Sequence, residues 1–198
     1  MIESVKNNVA PNEQPRKTQV VRRKTIHIYT DGSWLNRKQA GGWSALMVCG
    51  NQWQIIYDGQ LQTTINRMEL SAVLYALKTL TESCNVEIYA DSSLTVNTIN
   101  KWIFGWEKNG FKTKEDKPVA NQDLLQELLP LLHLHRVHAN WIKAHTKRTD
   151  VNSLGNAVVD VFARAAACAI ANAHRINNNR SYLEYKFPRV DFPRLVYV

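Results

Sequence analysis

The chain has 198 residues, 44% of them hydrophobic and 21% charged, the balance of a globular domain with its own core and room for tails. No apolar run reaches the roughly 20 residues of a membrane span, and the first 19 residues lack the apolar stretch of a secretory signal, so no membrane partner and a cytoplasmic location are expected. Three widely spaced cysteines, Cys49, Cys84 and Cys168, point to reduced thiols and not to a disulfide framework.

The net charge of +8 sits at the ends. Residues 1–24 carry six Lys/Arg against two Glu, and residues 173–198 carry five against two acids. Residues 25–172 are nearly neutral, with 14 basic and 13 acidic side chains. A basic balance favours polyanionic partners. Residues 1–24 are poor in apolar side chains and contain Pro11, Pro15 and the cluster Arg22-Arg23-Lys24, so they read as a disordered basic arm. Residues 25–172 read as one domain, and 173–198 as a tail.

Within the domain, residues 25–30 (TIHIYT) alternate as a strand, and the DGS that follows reads as a turn. Residues 42–49 and 52–59 are two further strands joined at Gly50-Asn51. Residues 66–81 change to a helical period, with Leu70, Val73, Leu74 and Leu77 on one face and Asn66 as cap. Residues 86–90 are a short buried strand. Residues 92–106 open on hydroxyl residues suited to capping and present Leu94, Val96, Ile99, Trp102, Ile103 and Trp106 as a helix. Residues 108–118 are a Lys-rich loop. Residues 122–132 are a helix, with Pro130 marking its end. A strand at 136–142 and a loop at 143–154 lead to a last helix at 156–172, with Val158, Val159, Phe162, Ala166 and Ala169 on one side. This order predicts an α/β fold: a five-stranded mixed sheet, three antiparallel strands then two parallel, with helices on both faces.

On that scheme Asp31 follows the first strand and Asp91 the fourth. Glu69 lies in the first turn of the first helix, and Asp160 in the first turns of the last. Singly, each acid has an ordinary role: a turn residue, a helix cap, a dipole partner or a solvated face. Brought together at one sheet edge, the four would repel one another strongly unless cations held them. Hard divalent ions suit such oxygen ligands, Mg²⁺ first and Mn²⁺ as a substitute. His133, His135, His138 and His145 crowd one region, but their spacing fits no standard zinc pattern. Trp34, Trp43, Trp53 and Trp141 are assigned to the core.

TDGS at residues 30–33, NRMEL at 66–70, ADSS at 90–93 and GNAVVDVFARAA at 155–166 resemble the ribonuclease H type 1 family. WIFGWEKNGFKTKEDKPV at 102–119 is similar to its bacterial members, including their basic protrusion. The resemblance spans roughly residues 25–170. It implies a metal-dependent endonuclease that cuts the RNA strand of RNA–DNA hybrids and leaves 5′-phosphate and 3′-hydroxyl ends. It also implies that Asp31, Glu69, Asp91 and Asp160 hold two metal ions, one activating water and the other stabilising the leaving oxygen. His145 matches the family's mobile histidine. Asn36 and Asn66 match contacts on the RNA side, and Thr64 one to a DNA phosphate. Trp102 and Trp106 with Lys108, Lys112, Lys114 and Lys117 match the surface that grips the DNA strand, which reads shape and not base sequence. Ala144 and Thr146 stand where the family usually has Gly, Ala157 replaces an acid, Ser93 replaces Gln, and the stretch from His145 to Asp160 is longer.

A monomer is expected, with residues 185–198 (aromatic, basic and broken by proline) as a segment suited to a protein partner. Three rivals share the fold: a non-catalytic binding module, a nuclease for DNA junctions or transposition, and a module working beside a reverse transcriptase. Because the domain itself is nearly neutral, the arm is expected to tether polyanions. Deleting residues 1–22 should raise KM for a hybrid and flatten its salt dependence, and an unchanged salt slope would rule this out.

Overall fold

The computed structural model describes residues 23–144 and 149–177. The expectations for the arm, for His145 and for the tail beyond residue 177 fall outside the described residues.

Strand β1 (Thr25–Leu35) is longer than its β-branched start suggests. The DGS segment is not a turn but continues the strand, with Asp31 opposite Ser44, Gly32 opposite Trp43 and Ser33 opposite Gly42 on β2 (Ala40–Cys49). Turn propensity loses here to an unbroken ladder of cross-strand bonds. The chain reverses instead through a single 3₁₀ turn, Asn36–Lys38. Gly50, in the left-handed region at φ 56°, makes the tight turn into β3 (Gln52–Leu61).

Helix α1 (Ile65–Lys78) starts one residue before the predicted Asn66 cap. Thr64 caps it, its extended backbone presenting Oγ1 to the Arg67 amide at 3.3 Å. Glu69 is therefore in the second turn, not the first. Leu70, Val73, Leu74 and Leu77 all enter the main core, as their spacing predicts. Next come β4 (Asn85–Ala90), α2 (Ser93–Asn97), a π-helical turn (Thr98–Trp102), α3 (Ile103–Lys108), α4 (Gln122–Leu134), β5 (Arg136–Trp141) and α5 (Val151–Asn177).

The sheet order is β3-β2-β1-β4-β5. β2 lies between β1 and β3 and runs antiparallel to both, and β4 and β5 run parallel to β1. Alternation sorts the strands into two faces. Ile28, Ala45, Met47, Val86 and Ile88 meet α1 and α4 on one face. Tyr29, Leu46, Val48 and Ile55 meet Val159 of α5 on the other. At the edge strand β5, Asn100 from the π turn takes the place of a neighbour. Its side chain donates to the Ala139 carbonyl at 2.7 Å and accepts from the Ala139 amide at 2.9 Å.

Other helix boundaries also depart from the sequence reading. The helix expected at 92–106 is divided into α2, the π turn and α3, and the last helix runs on to Asn177, past the expected domain end at 172. Pro130 does not end α4 but lies inside it, because buried Leu128, Leu129 and Leu132 anchor the helix on both sides of the missing amide. The predicted loop at 143–154 gives up its last residues to α5. Asp150 caps this extension, accepting from the Ser153 amide at 3.1 Å and the Ser153 hydroxyl at 2.8 Å. From Val151 onward the stretch before Asp160 is thus helix, and Asp160 falls in its third turn. Val158 points outward, not to the sheet.

Small residues let α5 lie close on the sheet. A Cβ on Gly42 would stand 2.3 Å from the Ala163 carbonyl oxygen, and one on Gly155 would stand 2.5 Å from the Tyr29 ring. Ser44 adds a buried hydrogen bond, donating to the Val159 carbonyl at 2.7 Å. Gly155→Ala should therefore destabilise the protein by about 1–2 kcal/mol in urea unfolding, although Ala favours helix by about 1 kcal/mol. A gain in stability would show that this contact can relax.

Candidate active site

The site is built from the backbone outward. Gly32 lies against α1, where an added Cβ would stand 2.6 Å from the Glu69 amide nitrogen and 3.0 Å from the Met68 carbonyl carbon. This closeness brings the Glu69 carboxylate to Asp31. The start of α1 is also clamped to α4 by Arg67, which donates to both oxygens of Asp123 at 2.9 and 2.5 Å. β4 runs parallel beside β1, with Thr30 opposite Ala90, so Asp91 emerges next to Asp31. Ser92 takes the capping duty at the following helix, accepting from the Thr95 amide at 3.2 Å, and leaves Asp91 free of it.

Carboxylate oxygens of Asp31, Glu69 and Asp91 lie within 4.8 Å of one another. Asp31 and Glu69 are only 6% and 4% exposed. Burial first, and then the charges of Asp91 and Asp160, push the Asp31 carboxyl up to about 7. The Gly32 amide and the Arg164 charge pull it the other way. Burial, followed by Asp31 and Asp91, holds Glu69 well above the usual carboxylate range. Asp160, half-buried on α5, stands near enough to act on Asp31 but outside the three-residue cluster.

Two side chains that sequence reasoning did not assign to the site hold Asp91. Asn156 donates to its carboxylate at 3.3 Å, and the Trp141 indole donates to its carbonyl at 2.9 Å. Trp141 is 57% exposed, which corrects its assignment to the core. It ends the edge strand, where no further element among the described residues covers it. Trp43 is buried and stacks on Tyr75, while Trp34 and Trp53 are half-buried. The signal for Asn156 was its place one helical turn before Asp160, visible only with the helix start known.

The cluster fits hard cations. Its donors are all carboxylate oxygens, and the buried Glu69 Oε2 has no hydrogen-bond partner, as is also true of Thr30 Oγ1 and Asn156 Oδ1. An uncompensated buried carboxylate pair is costly, and a divalent ion supplies the missing charge and the missing bond together.

Beside the cluster runs a cleft of about 500 Å³ lined by Asn66, Leu70, Trp102, Trp106 and Lys114, among others. The two indoles are tilted, with centroids 6.1 Å apart, and Trp102 is 42% exposed. Of the predicted substrate residues, this cleft gathers Asn66, Trp102, Trp106 and Lys114. Thr64 and Asn36 lie outside it, at the start of α1 and on the turn after β1. Lys108 and Lys117 are exposed elsewhere on the protrusion, and Lys112 pairs with Asp116 at 2.7 Å.

The family model for RNase H matches residues 23–168. The chain belongs to the ribonuclease H family. A ribonuclease H of Nitratidesulfovibrio vulgaris (strain Miyazaki F) is 41% identical over 145 residues, 73% of this chain and 90% of that protein. Ribonuclease HI of Neisseria meningitidis serogroup B is 44% identical over 121 residues, 61% of this chain and 83% of that protein. Among solved structures, LC9-RNase H1, a type 1 RNase H with the type 2 active-site motif, matches with a TM-score of 0.65 at 22% identity, over 75% of this chain and 74% of that one. The foamy viral protease–reverse transcriptase in complex with RNA/DNA hybrid matches with a TM-score of 0.64 at 20% identity, over 85% of this chain and 22% of that one. These structures share the ribonuclease H fold, and the five-stranded mixed sheet expected from the sequence is the one found here.

The raised carboxyls fix a pH dependence. A carboxyl whose pKa is higher folded than unfolded stabilises the protein at low pH, and that contribution fades as pH rises through the folded value. Metal-free protein should therefore lose stability between about pH 4 and 8. Asp31→Asn should raise the Tm at pH 8 and flatten that slope in thermal melts. Equal slopes for both proteins would contradict the burial-driven shift.

Proposed function

We propose that this chain hydrolyses the RNA strand of RNA–DNA hybrids, leaving 5′-phosphate and 3′-hydroxyl ends. The observation that carries the reading is the convergence of Asp31, Glu69 and Asp91 within 4.8 Å beside a cleft of tryptophan and lysine. Family membership and relatives called ribonuclease H support it.

Asp31, Glu69 and Asp91, with Asp160 completing the set, would hold Mg²⁺, two ions in the full complex, with Mn²⁺ as a substitute. When bound, such ions supply a nucleophile from water and charge stabilisation at the scissile phosphate. The rest is the chain's own work. Burial and mutual repulsion keep Asp31 and Glu69 ready to exchange protons for cations. Asn156 and Trp141 fix Asp91 at its carboxylate and its carbonyl. Asn66, which lines the cleft, stands one turn before Glu69 on the same helix, so cleft and cluster share α1. Trp102 and Trp106 offer flat apolar surface to sugars, and Lys114 offers charge to a phosphate. This mode of grip suits the shape and 2′-hydroxyls of a hybrid and not a base sequence.

The test is cleavage of a labelled RNA–DNA hybrid with Mg²⁺ beside single-stranded RNA, duplex RNA and duplex DNA. RNA cleavage in the hybrid alone is expected, with Asp91→Asn lowering it at least about a hundredfold. A folded protein inactive with both Mg²⁺ and Mn²⁺ would leave a binding module in place of an enzyme.

A further inference from the structure

Helix α5 carries two apolar faces. One packs on the sheet through Gly155, Val159, Ala163, Ala166 and Ala167. The other is turned away from it. Val151 is 51% exposed, Leu154 53%, Val158 38% and Val161 62%. Ala165 continues the line exposed and Cys168 half-buried. The spacing from Val151 to Cys168 is three, four, three, four, three. That is the heptad seam of a coiled coil and not the scatter of single apolar residues common on surfaces. At about 100° per residue, the seam falls almost opposite the sheet-packed side. From Val151 to Cys168 the helix holds two charged side chains, Asp160 and Arg164, and neither is on the seam, whose spacing continues through Asn172 and reaches a charge at Arg175.

We propose that this seam joins two copies of the chain, α5 against α5, as a two-fold dimer. The pattern itself favours this occupant. Val at 151 and 158 with Leu at 154 opens the seam with the β-branched and Leu alternation that selects two strands, a pattern that Val161 then leaves at the next Leu position. A seam facing its own copy is self-complementary and closes. Between Val151 and Cys168 it carries no Lys or Arg, so over that length two copies of this basic chain meet without like charges on the seam. Its extent sets the strength. From Val151 to Cys168 the helix rises about 26 Å, so two such faces bury on the order of 1,000 Å², the lower limit for a specific interface. The dimer is therefore weak, with a Kd of tens of micromolar, roughly. The monomer expected from the sequence is then the dilute form. The catalytic carboxylates lie off the seam, so each copy keeps an open site.

Sedimentation velocity of the full chain from about 1 to 200 µM, compared with Leu154→Glu/Val161→Glu, tests this. Both substitutions are at exposed positions, and far-UV circular dichroism with thermal melting checks that the fold survives. The wild type should pass from monomer to dimer across that range. The double variant should stay monomeric, and its hybrid cleavage at nanomolar concentration should be unchanged. A conservative Val161→Leu should keep the dimer. A wild type that stays monomeric throughout overturns the proposal, as does a double variant that dimerises equally well. Flotation of the wild type with lipid vesicles without any solution dimer would assign the seam to a bilayer and also overturn it. The sedimentation and flotation readings do not depend on the catalytic assignment.

Discussion

Everything at the active site rests on how closely β1 and α1 approach. At Gly32 the strand has no side chain, and the helix backbone at Met68 and Glu69 fills the space a Cβ would need. A larger residue would hold α1 off the sheet and move Glu69 away from Asp31. The same small-residue logic recurs on the other face, where Gly42 and Gly155 let α5 settle on β2 and Tyr29 and bring Asp160 near the cluster. Both helices are thus fixed in depth by glycines and in angle by polar ties: Arg67 to Asp123 on one side, Ser44 to Val159 on the other.

That closeness creates an electrostatic problem. Three carboxylates share a space of 4.8 Å, and two of them are nearly sealed from water. Without cations the fold is relieved by holding protons, as the raised carboxyls of Asp31 and Glu69 show. With cations the same groups become ligands. Protons and metal ions therefore compete for one set of oxygens, and the destabilisation of the empty cluster becomes affinity for the ion. The Trp/Lys cleft is lined by none of these carboxylates.

The mixed character of the sheet, three antiparallel strands then two parallel, was legible because hairpin-linked strands and helix-linked strands leave different periodicities. The four acids were legible through the motifs around them, TDGS, NRMEL, ADSS and GNAVVDVFARAA. Only Asp91 proves to sit at an element boundary, Asp31 lying within β1, Glu69 in the second turn of α1 and Asp160 in the third turn of α5. What misled was local turn and cap chemistry. DGS has turn residues, yet the ladder with β2 carries it as strand. Pro130 has a breaker's signature, yet the leucines around it hold the helix together. Asn66 is a good cap, but Thr64 has the extended backbone that capping needs. Asp150 was unread as a cap because the apolar period of α5 on the sheet side begins only at Gly155. The outward face, carrying Val151 and Leu154, follows a second period laid over the first. Trp141 was read as core from its type alone, and no single-sequence signal marks it as the end of an edge strand with a hydrogen bond to Asp91.

The most direct measurement of the central claim is calorimetric titration of the metal-free protein with Mg²⁺ at pH 7, repeated in two buffers of different ionisation enthalpy. Buried, partly protonated carboxyls must give up protons as the ion enters. The expected result is binding that releases on the order of one proton per protein near pH 7 and fewer as pH rises. Binding with no proton release, or no binding at all, would mean that the cluster of Asp31, Glu69 and Asp91 is not the cation site its geometry describes.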